Sequence, residues 1–339
     1  MAADDIHVVP VTQLPPNSWF EGFAIRPNGH ILATRLDEPE LYTFDPQDPG
    51  AQPQLVHTFP DANGLVNLCP IDGAPDEYAV IAATVELQAV QFDSAVIWRV
   101  TLKDGEPPRI KEIARVPDSG FCIGVTAACP RTLLIADSYK NCIWRLDVPT
   151  GASAVLVADD TMKAATDEDY FGINRLRIAH GFLWYTNTSA GLLCRVPIAL
   201  DAADGVKTTG PVEIITANLP HCDGLAITDD GKAIFTCNYM AGLVWRVDMD
   251  ADGKGVATIL TRGLSSPTSV ELARAHDDPA RVNLYVTCCG GEAGVGWVNE
   301  DDRLSEMDRL NLDIAAVTVT EEVVEVVVVV EETTTTSSS

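Results

Sequence analysis

Four copies of one short phrase run through this chain and constrain its fold more than any other feature: Val96-Ile97-Trp98-Arg99-Val100, Cys142-Ile143-Trp144-Arg145-Leu146, Leu192-Leu193-Cys194-Arg195-Val196 and Leu243-Val244-Trp245-Arg246-Val247. Upstream of the later copies lies an apolar or alternating run, such as Thr132 to Asp137, Phe182 to Thr186 or Ala233 to Thr236, which reads as a strand. Farther upstream a shorter phrase opens another strand. Six such openings begin at Glu21, Asn63, Ile123, Asn174, Asp223 and Thr268, separated by 42, 60, 51, 49 and 45 residues, the length of a four-stranded blade with its loops. From opening to the aromatic position of the later phrase the distance is 21 residues to Tyr42, 21 to Trp144, 20 to Cys194 and 22 to Trp245. Blades two and six run longer, the last as far as Met307-Asp308-Arg309-Leu310, so they carry insertions that belong in surface loops.

Turn signals fall at Pro27-Asn28-Gly29, Asp229-Asp230-Gly231 and Asp250-Ala251-Asp252-Gly253, and helical periodicity is nearly absent. A single blade exposes an apolar face and is stable only when stacked on its neighbours, and ring closure removes the unstacked ends. The pattern predicts an all-β, six-bladed β-propeller of four-stranded antiparallel blades, with a strand near His7 to Val11 completing the last blade. The propeller is expected to span 1–319 as a single domain. Residues 320–339, valine and glutamate followed by threonine and serine runs, form a low-complexity tail that reads either as an extra edge strand or as poorly ordered chain.

At 339 residues and 46% hydrophobic, the chain can bury a large core. Its 23 Lys and Arg against 49 Asp and Glu give a formal charge of -26, which repels phosphate backbones and anionic lipid, so neither nucleic acid nor membrane is an expected partner. The first residues lack the basic and apolar regions of a signal peptide, and a soluble protein follows: cytoplasmic as written, secreted if a leader has been removed. Composition leaves the oligomeric state open. Nine cysteines, mostly single along the chain, do not form a disulfide framework, and without a Cys-x-x-Cys pair or a His/Cys cluster they read as buried thiols.

The first strand of each propeller blade lines the axis, so the six openings make one ring: Glu21, Asn63, Ile123, Asn174, Asp223 and Thr268. Two carboxylates with two amides are a hard-oxygen set suited to Ca²⁺ or Mg²⁺. Asn, Asp and Gly are also plain turn formers at the start of a strand, but Glu21 is not.

The Glu21-Gly22 opening, Asn174, Asp223-Gly224-Leu225-Ala226 followed by Asp230-Gly231-Lys232, and the Trp-Arg-Val phrases resemble the senescence marker protein, gluconolactonase and luciferin-regenerating enzyme family, over residues 18 to 313. The resemblance implies a six-bladed propeller and, in hydrolytic members, a divalent metal held by a Glu, two Asn and an Asp. Carried over by position, Glu21, Asn174 and Asp223 are metal ligands. The remaining Asn falls on Ile123, an alkyl side chain without a lone pair, which removes a ligand and desolvates the site. Asn63 or water would then have to complete the shell.

Phe121, Ile123, Cys222, Asn238, Tyr239 and Met240 are expected at the channel mouth as substrate-binding residues, with Asn63 and Thr268, and such an apolar pocket with few polar groups suits a small lipophilic substrate. Phrases such as Phe171-Gly172-Ile173-Asn174 and Leu183-Trp184-Tyr185-Thr186-Asn187 look most like fungal members of the superfamily, some of which act in secondary metabolism as hetero-Diels–Alderases that join a quinone methide to a terpene alkene. Such a catalyst requires no cofactor: it aligns two apolar partners, excludes water and donates a hydrogen bond to the heterodiene oxygen. The rival is a Ca²⁺- or other divalent-metal-dependent lactonase, with Glu21, Asn174 and Asp223 at the metal and Asp223 or His221 moving the proton. A third class is a non-catalytic binding propeller. No Gly-x-Ser-x-Gly elbow supports serine catalysis.

Overall fold

The computed structural model describes residues 8–15, 18–48, 52–86, 91–116, 118–169, 171–201, 205–274, 281–290, 314–319 and 324–328. Six antiparallel sheets follow one another around a ring, each made of strands consecutive in sequence except the sixth. The inner strands are Phe20–Ile25, Gly64–Pro70, Cys122–Cys129, Ile173–Ala179, Cys222–Ile227 and Pro267–Arg274. The first and sixth of these meet, which closes the ring: Thr268 Oγ1 donates to the carbonyl of Phe20 at 2.8 Å across 248 residues of sequence. The sixth blade is completed from the amino-terminal end, where Val8–Thr12 pairs with Ile314–Val319. His7 and the phrase at 307–310 lie outside the described residues. Within the tail, Val324–Val328 pairs as a strand with Ile314–Val319.

The repeated Trp-Arg phrase has a structural cause. In blades one to five the pairing of third and fourth strands slips at one place, between Leu41 and Tyr42, Ile97 and Trp98, Ile143 and Trp144, Leu193 and Cys194, and Val244 and Trp245. A bulge there turns the following side chain out of register with its strand, and that side chain is aromatic in four of the five blades and Cys194 in blade four. The extra length of blade two lies in a hairpin lengthened to Glu86 opposite Gln91, while blade four adds a small hairpin in which Gly205–Thr208 pairs with the end of Leu192–Asp201.

A second set of irregularities matters more for the axis. In all six blades the inner strand slips against the second strand near its start: between Phe20 and Phe23, Leu65 and Asn67, Cys122 and Gly124, Ile173 and Leu176, Cys222 and Leu225, and Pro267 and Ser269. One residue is skipped in blades two, three and six and two in blades one, four and five, and the first skipped residue of each blade, Glu21, Val66, Ile123, Asn174, Asp223 and Thr268, belongs to the axial ring. Threonines on the second strands brace several of these bulges: Thr34 Oγ1 accepts from Gly22 N at 2.9 Å, and Thr186 Oγ1 accepts from Arg175 N at 3.1 Å. After the ring residue, blades one, three and five carry Gly22, Gly124 and Gly224, where neighbouring inner strands approach so closely that a Cβ on Gly224 would lie 2.5 Å from the Ser269 Cα.

Candidate functional site at the propeller axis

The ring bulges bring Glu21, Asn174, Asp223 and Thr268 from four blades to the floor of one cavity of about 40 Å³. Its walls are mostly apolar, from Trp19, Leu36, Val66, Phe121, Ile123, Phe171 and Tyr239. Phe121 packs against Phe171 with ring centroids 5.8 Å apart and against Tyr139 at 5.6 Å, forming an aromatic cluster on one side. Seven of the twelve residues expected from the sequence thus meet in one place: Glu21, Asn174, Asp223, Phe121, Ile123, Tyr239 and Thr268.

The floor is organised by Arg175, the residue after the ring position in blade four. Its guanidinium donates from Nη2 to Glu21 Oε1 at 2.6 Å and from Nε to Asp223 Oδ1 at 3.2 Å. Nη2 also lies 3.3 Å from the carbonyl oxygens of Glu21 and of Thr268. Glu21 is held from its other side by Trp19, whose Nε1 donates to Oε2 at 2.7 Å. Asn174 donates from Nδ2 to Thr188 Oγ1 at 2.9 Å, and that hydroxyl donates on to the carbonyl of Cys222. Two buried polar atoms here have no hydrogen-bond partner, Arg175 Nη1 and Asn174 Oδ1, one a donor and the other an acceptor.

One guanidinium faces two buried carboxyls, and the excess negative charge has a consequence. Burial pushes the Glu21 carboxyl up to about 8, against the downward pull of Arg175 and with an upward push from Asp223. Burial likewise raises Asp223 to about 6, again against Arg175. Sharing one cation, they titrate as a pair, and the pair retains a proton toward neutral pH. Burial opposes the charge on Arg175, but Asp223 and Glu21 more than offset it and raise its pKa. Farther along the same strand Arg177 pairs with Glu271 of blade six and donates from Nε to the carbonyl of Leu225 at 2.9 Å. The axis therefore carries two layers of ion pairs, both with the cation from blade four.

Five expected residues are placed elsewhere. Asn63 binds the Val85 backbone with both ends of its amide, so Val66, three residues on, is the blade-two ring residue. Cys222 turns into the blade packing, its thiol donating to the carbonyl of Asn187 at 3.2 Å, because the bulge begins one residue later. Asn238 braces a loop: its Nδ2 donates to the carbonyl of Pro220, and its Oδ1 accepts from Ala241 N. Met240 is half-buried on that loop and does not line the cavity. His221 precedes the strand in a left-handed conformation with φ of 53°, so the same-face rule for residues two apart does not apply to it and Asp223. Its ring instead meets Tyr239 edge-on, 5.9 Å between centroids, and Tyr239 meets the cavity.

Arg175, Trp19, Leu36, Val66, Phe171 and Thr188 were not anticipated. The signal for Arg175 was present: among the residues after the ring positions, Gly22, Asn67, Gly124, Arg175, Gly224 and Ser269, it alone is charged and long.

As arranged, the ring does not fit a divalent ion. Both carboxylates already engage a guanidinium, the third-blade position is an alkyl group and the second-blade position another, and the unsatisfied oxygen left is the Asn174 amide. No group of three or more His, Cys, Asp or Glu side chains among the described residues is placed to hold a metal.

These features define a six-bladed propeller with an apolar-walled axial pocket over a charged floor. Its fold is shared with several solved propellers. A luciferin-regenerating enzyme superposes with a TM-score of 0.63 over 96% of this chain and 99% of that one, at 14% identity. A calcium-binding regucalcin from Agrobacterium tumefaciens gives 0.60 over 96% of each chain at 16% identity. Virginiamycin B lyase from Staphylococcus aureus gives 0.53 over 94% of this chain and 87% of that one, at 15% identity. No family model and no curated protein matches the sequence. At such identities the likeness is one of fold. No helix among the described residues is long and apolar enough to cross a membrane.

Proposed function

We propose that the axial pocket is the active site of an enzyme that acts on a small lipophilic substrate by alignment and proton donation, with a hetero-Diels–Alder cycloaddition of a quinone methide and a terpene alkene as its reaction class. The observation that carries this reading is the pairing of apolar walls with a floor whose carboxyls retain a proton toward neutral pH. At about 40 Å³ the cavity has room for little more than one oxygen-bearing group, so this reading places only the heterodiene oxygen in it and the hydrocarbon parts of the reactants over Phe121, Phe171 and Tyr239. In the cycloaddition negative charge grows on the heterodiene oxygen, and a hydrogen bond from the Glu21–Asp223 pair is strongest at that point, so it favours the transition state over the reactants. Ile123, Phe121 and Tyr239 exclude the water that would add to the quinone methide.

A second reading, hydrolysis of a lactone, is favoured by the same raised carboxyls, which would serve as general acid and base. One experiment separates the two. The protein is incubated in EDTA with an o-quinone methide generated in place and a terpene alkene, and in parallel, once in EDTA and once in CaCl₂, with a series of aliphatic lactones. A stereochemically biased adduct with intact lactones supports the cycloaddition. Lactone turnover with a racemic adduct rejects it in favour of the hydrolase, and neither activity points to a binding protein.

A further inference from the structure

The inner strand of blade four departs from its neighbours at one position, and the departure puts a positive charge on the propeller axis. We infer that the Arg175 guanidinium is a fixed internal cation standing in the place between Glu21 and Asp223 that a divalent ion would take, so that the site is built to work with the chain's own charge. The inference concerns the charge at the floor and holds whichever small molecule the pocket accepts.

Arg175 stands where other blades carry glycine. Blades one, three and five carry glycine after the ring residue, and a Cβ on Gly22, Gly124 or Gly224 would strike the next inner strand. The Arg175 side chain instead runs across the axis, and its partners come from blades one, five and six. The partners of the guanidinium match a cation site. Two carboxylate oxygens and two carbonyl oxygens converge on one cationic group, which is the hard-oxygen environment a Ca²⁺ ion selects. A guanidinium meets those oxygens with directed N–H bonds and cannot lose its charge.

Charge balance at the floor differs between the two cations. A divalent ion would neutralise two carboxylates, whereas one guanidinium leaves a single negative charge uncompensated, and a buried site disposes of that charge by keeping a proton. Exchanging a divalent ion for arginine thus replaces a Lewis acid at the floor by a Brønsted acid. Asn174 Oδ1, buried and without a partner beside this group, is the acceptor left over when an arginine rather than an ion fills the centre.

The test is to remove the cation and offer an ion. Arg175→Gly restores the residue found in three other blades and frees Glu21, Asp223 and Asn174 Oδ1 toward one space. Thermal unfolding and calorimetric titration with CaCl₂ should show no saturable response in the wild type. In Arg175→Gly, Ca²⁺ should bind at least about tenfold more tightly than in the wild type, with a matching rise in melting temperature. Adding Asp223→Asn to that variant should abolish the gain. Arg175→Lys keeps a cation and should remain unresponsive. Saturable Ca²⁺ binding by the wild type that Asp223→Asn removes would overturn the inference, as would a folded Arg175→Gly that ignores Ca²⁺. Should Arg175→Gly fail to fold without ion, refolding it with and without CaCl₂ decides: recovery with Ca²⁺ supports the inference and failure in both rejects it.

Discussion

The Arg175 guanidinium bonds the Glu21 carboxylate at 2.6 Å across 154 residues of sequence and from the opposite half of the ring. Both side chains are buried, with 5% of each exposed. The bond is therefore a strut across the axis, joining blades one and four that share no strand pairing. Removing one partner of such a pair leaves a buried charge uncompensated. Arg175→Met should destabilise the protein by about 3–5 kcal/mol, measured as a lower urea midpoint at neutral pH. Asp223→Asn on that background should restore part of the loss, because one of the two orphaned carboxylates is then gone. Equal stability of wild type and Arg175→Met would show that the strut contributes nothing.

The same site sets a pH dependence of unusual sign. Glu21, at about 8, and Asp223, at about 6, both titrate above ordinary carboxyl values because they are buried. At intermediate pH the folded chain then holds more protons than the unfolded one, so the stabilisation is complete below the unfolded value and is lost as pH rises through the folded one. Melting temperature should decline between about pH 5 and about pH 8.5, and Glu21→Gln should flatten the upper part of that decline. Asp76 and Asp230, whose hydrogen bonds and partners hold them below the usual range, act in the opposite sense but only in more acid solution. A wild-type profile that rises over the interval, or a Glu21→Gln profile of unchanged slope, contradicts the assignment.

The blade count, the closing strand at Val8–Thr12 and five of the six ring residues were legible in the sequence, because each rests on a local pattern repeated at blade spacing. The sixth was not. Asn63-Gly64 resembles the other openings in composition, and only the bulge between Leu65 and Asn67 brings Val66 to the axis. Alternation of residue types does not reveal a bulge, since a slip of one residue exchanges the two faces of a strand. Asn238 was misplaced for a related reason: an amide at the end of a second strand braces a loop, as Asn187 does when its Nδ2 donates to the carbonyls of Thr161 and Lys163. Arg175 was visible as a residue type, but its function depends on oxygens from blades one, five and six that only ring closure assembles.

Close approach of inner strands yields a third prediction. A methyl group on Gly224 would lie 2.5 Å from the Cα and the backbone nitrogen of the neighbouring blade, atoms that cannot swing aside. Gly224→Ala should cost about 1–3 kcal/mol by forcing blades five and six apart. The same motion shifts Asp223, one residue earlier, away from Arg175, so Gly224→Ala should also lose part of the pH dependence described above. Unfolding measured at pH 6 and pH 8 tests both effects. Gly181, whose Cβ would meet nothing within 4 Å, supplies the control: Gly181→Asn should perturb the pH profile not at all.

The last prediction uses two apolar residues that the sequence placed together and the fold separates. Ile123 lines the cavity and is buried beside Glu21 and Asp223, whereas Met240 is half-buried on the loop outside it. A carboxylate at 123 would be a third acidic group around a single guanidinium, and it would draw water into a pocket whose walls otherwise exclude it. Ile123→Asp should therefore abolish the enhanced fluorescence of an environment-sensitive apolar dye bound at the axis. It should also lower turnover of the lipophilic substrate about a hundredfold, the equivalent of some 3 kcal/mol of transition-state stabilisation. Met240→Asp, introducing the same charge a short distance outside the pocket, should leave dye binding within about twofold of wild type, a difference of less than 0.5 kcal/mol. Equal losses in the two variants would mean that the apolar site extends over the loop at 239–241 and is not confined to the axis. Loss in neither would move dye and substrate away from the axial cavity altogether, and the proposed function with them.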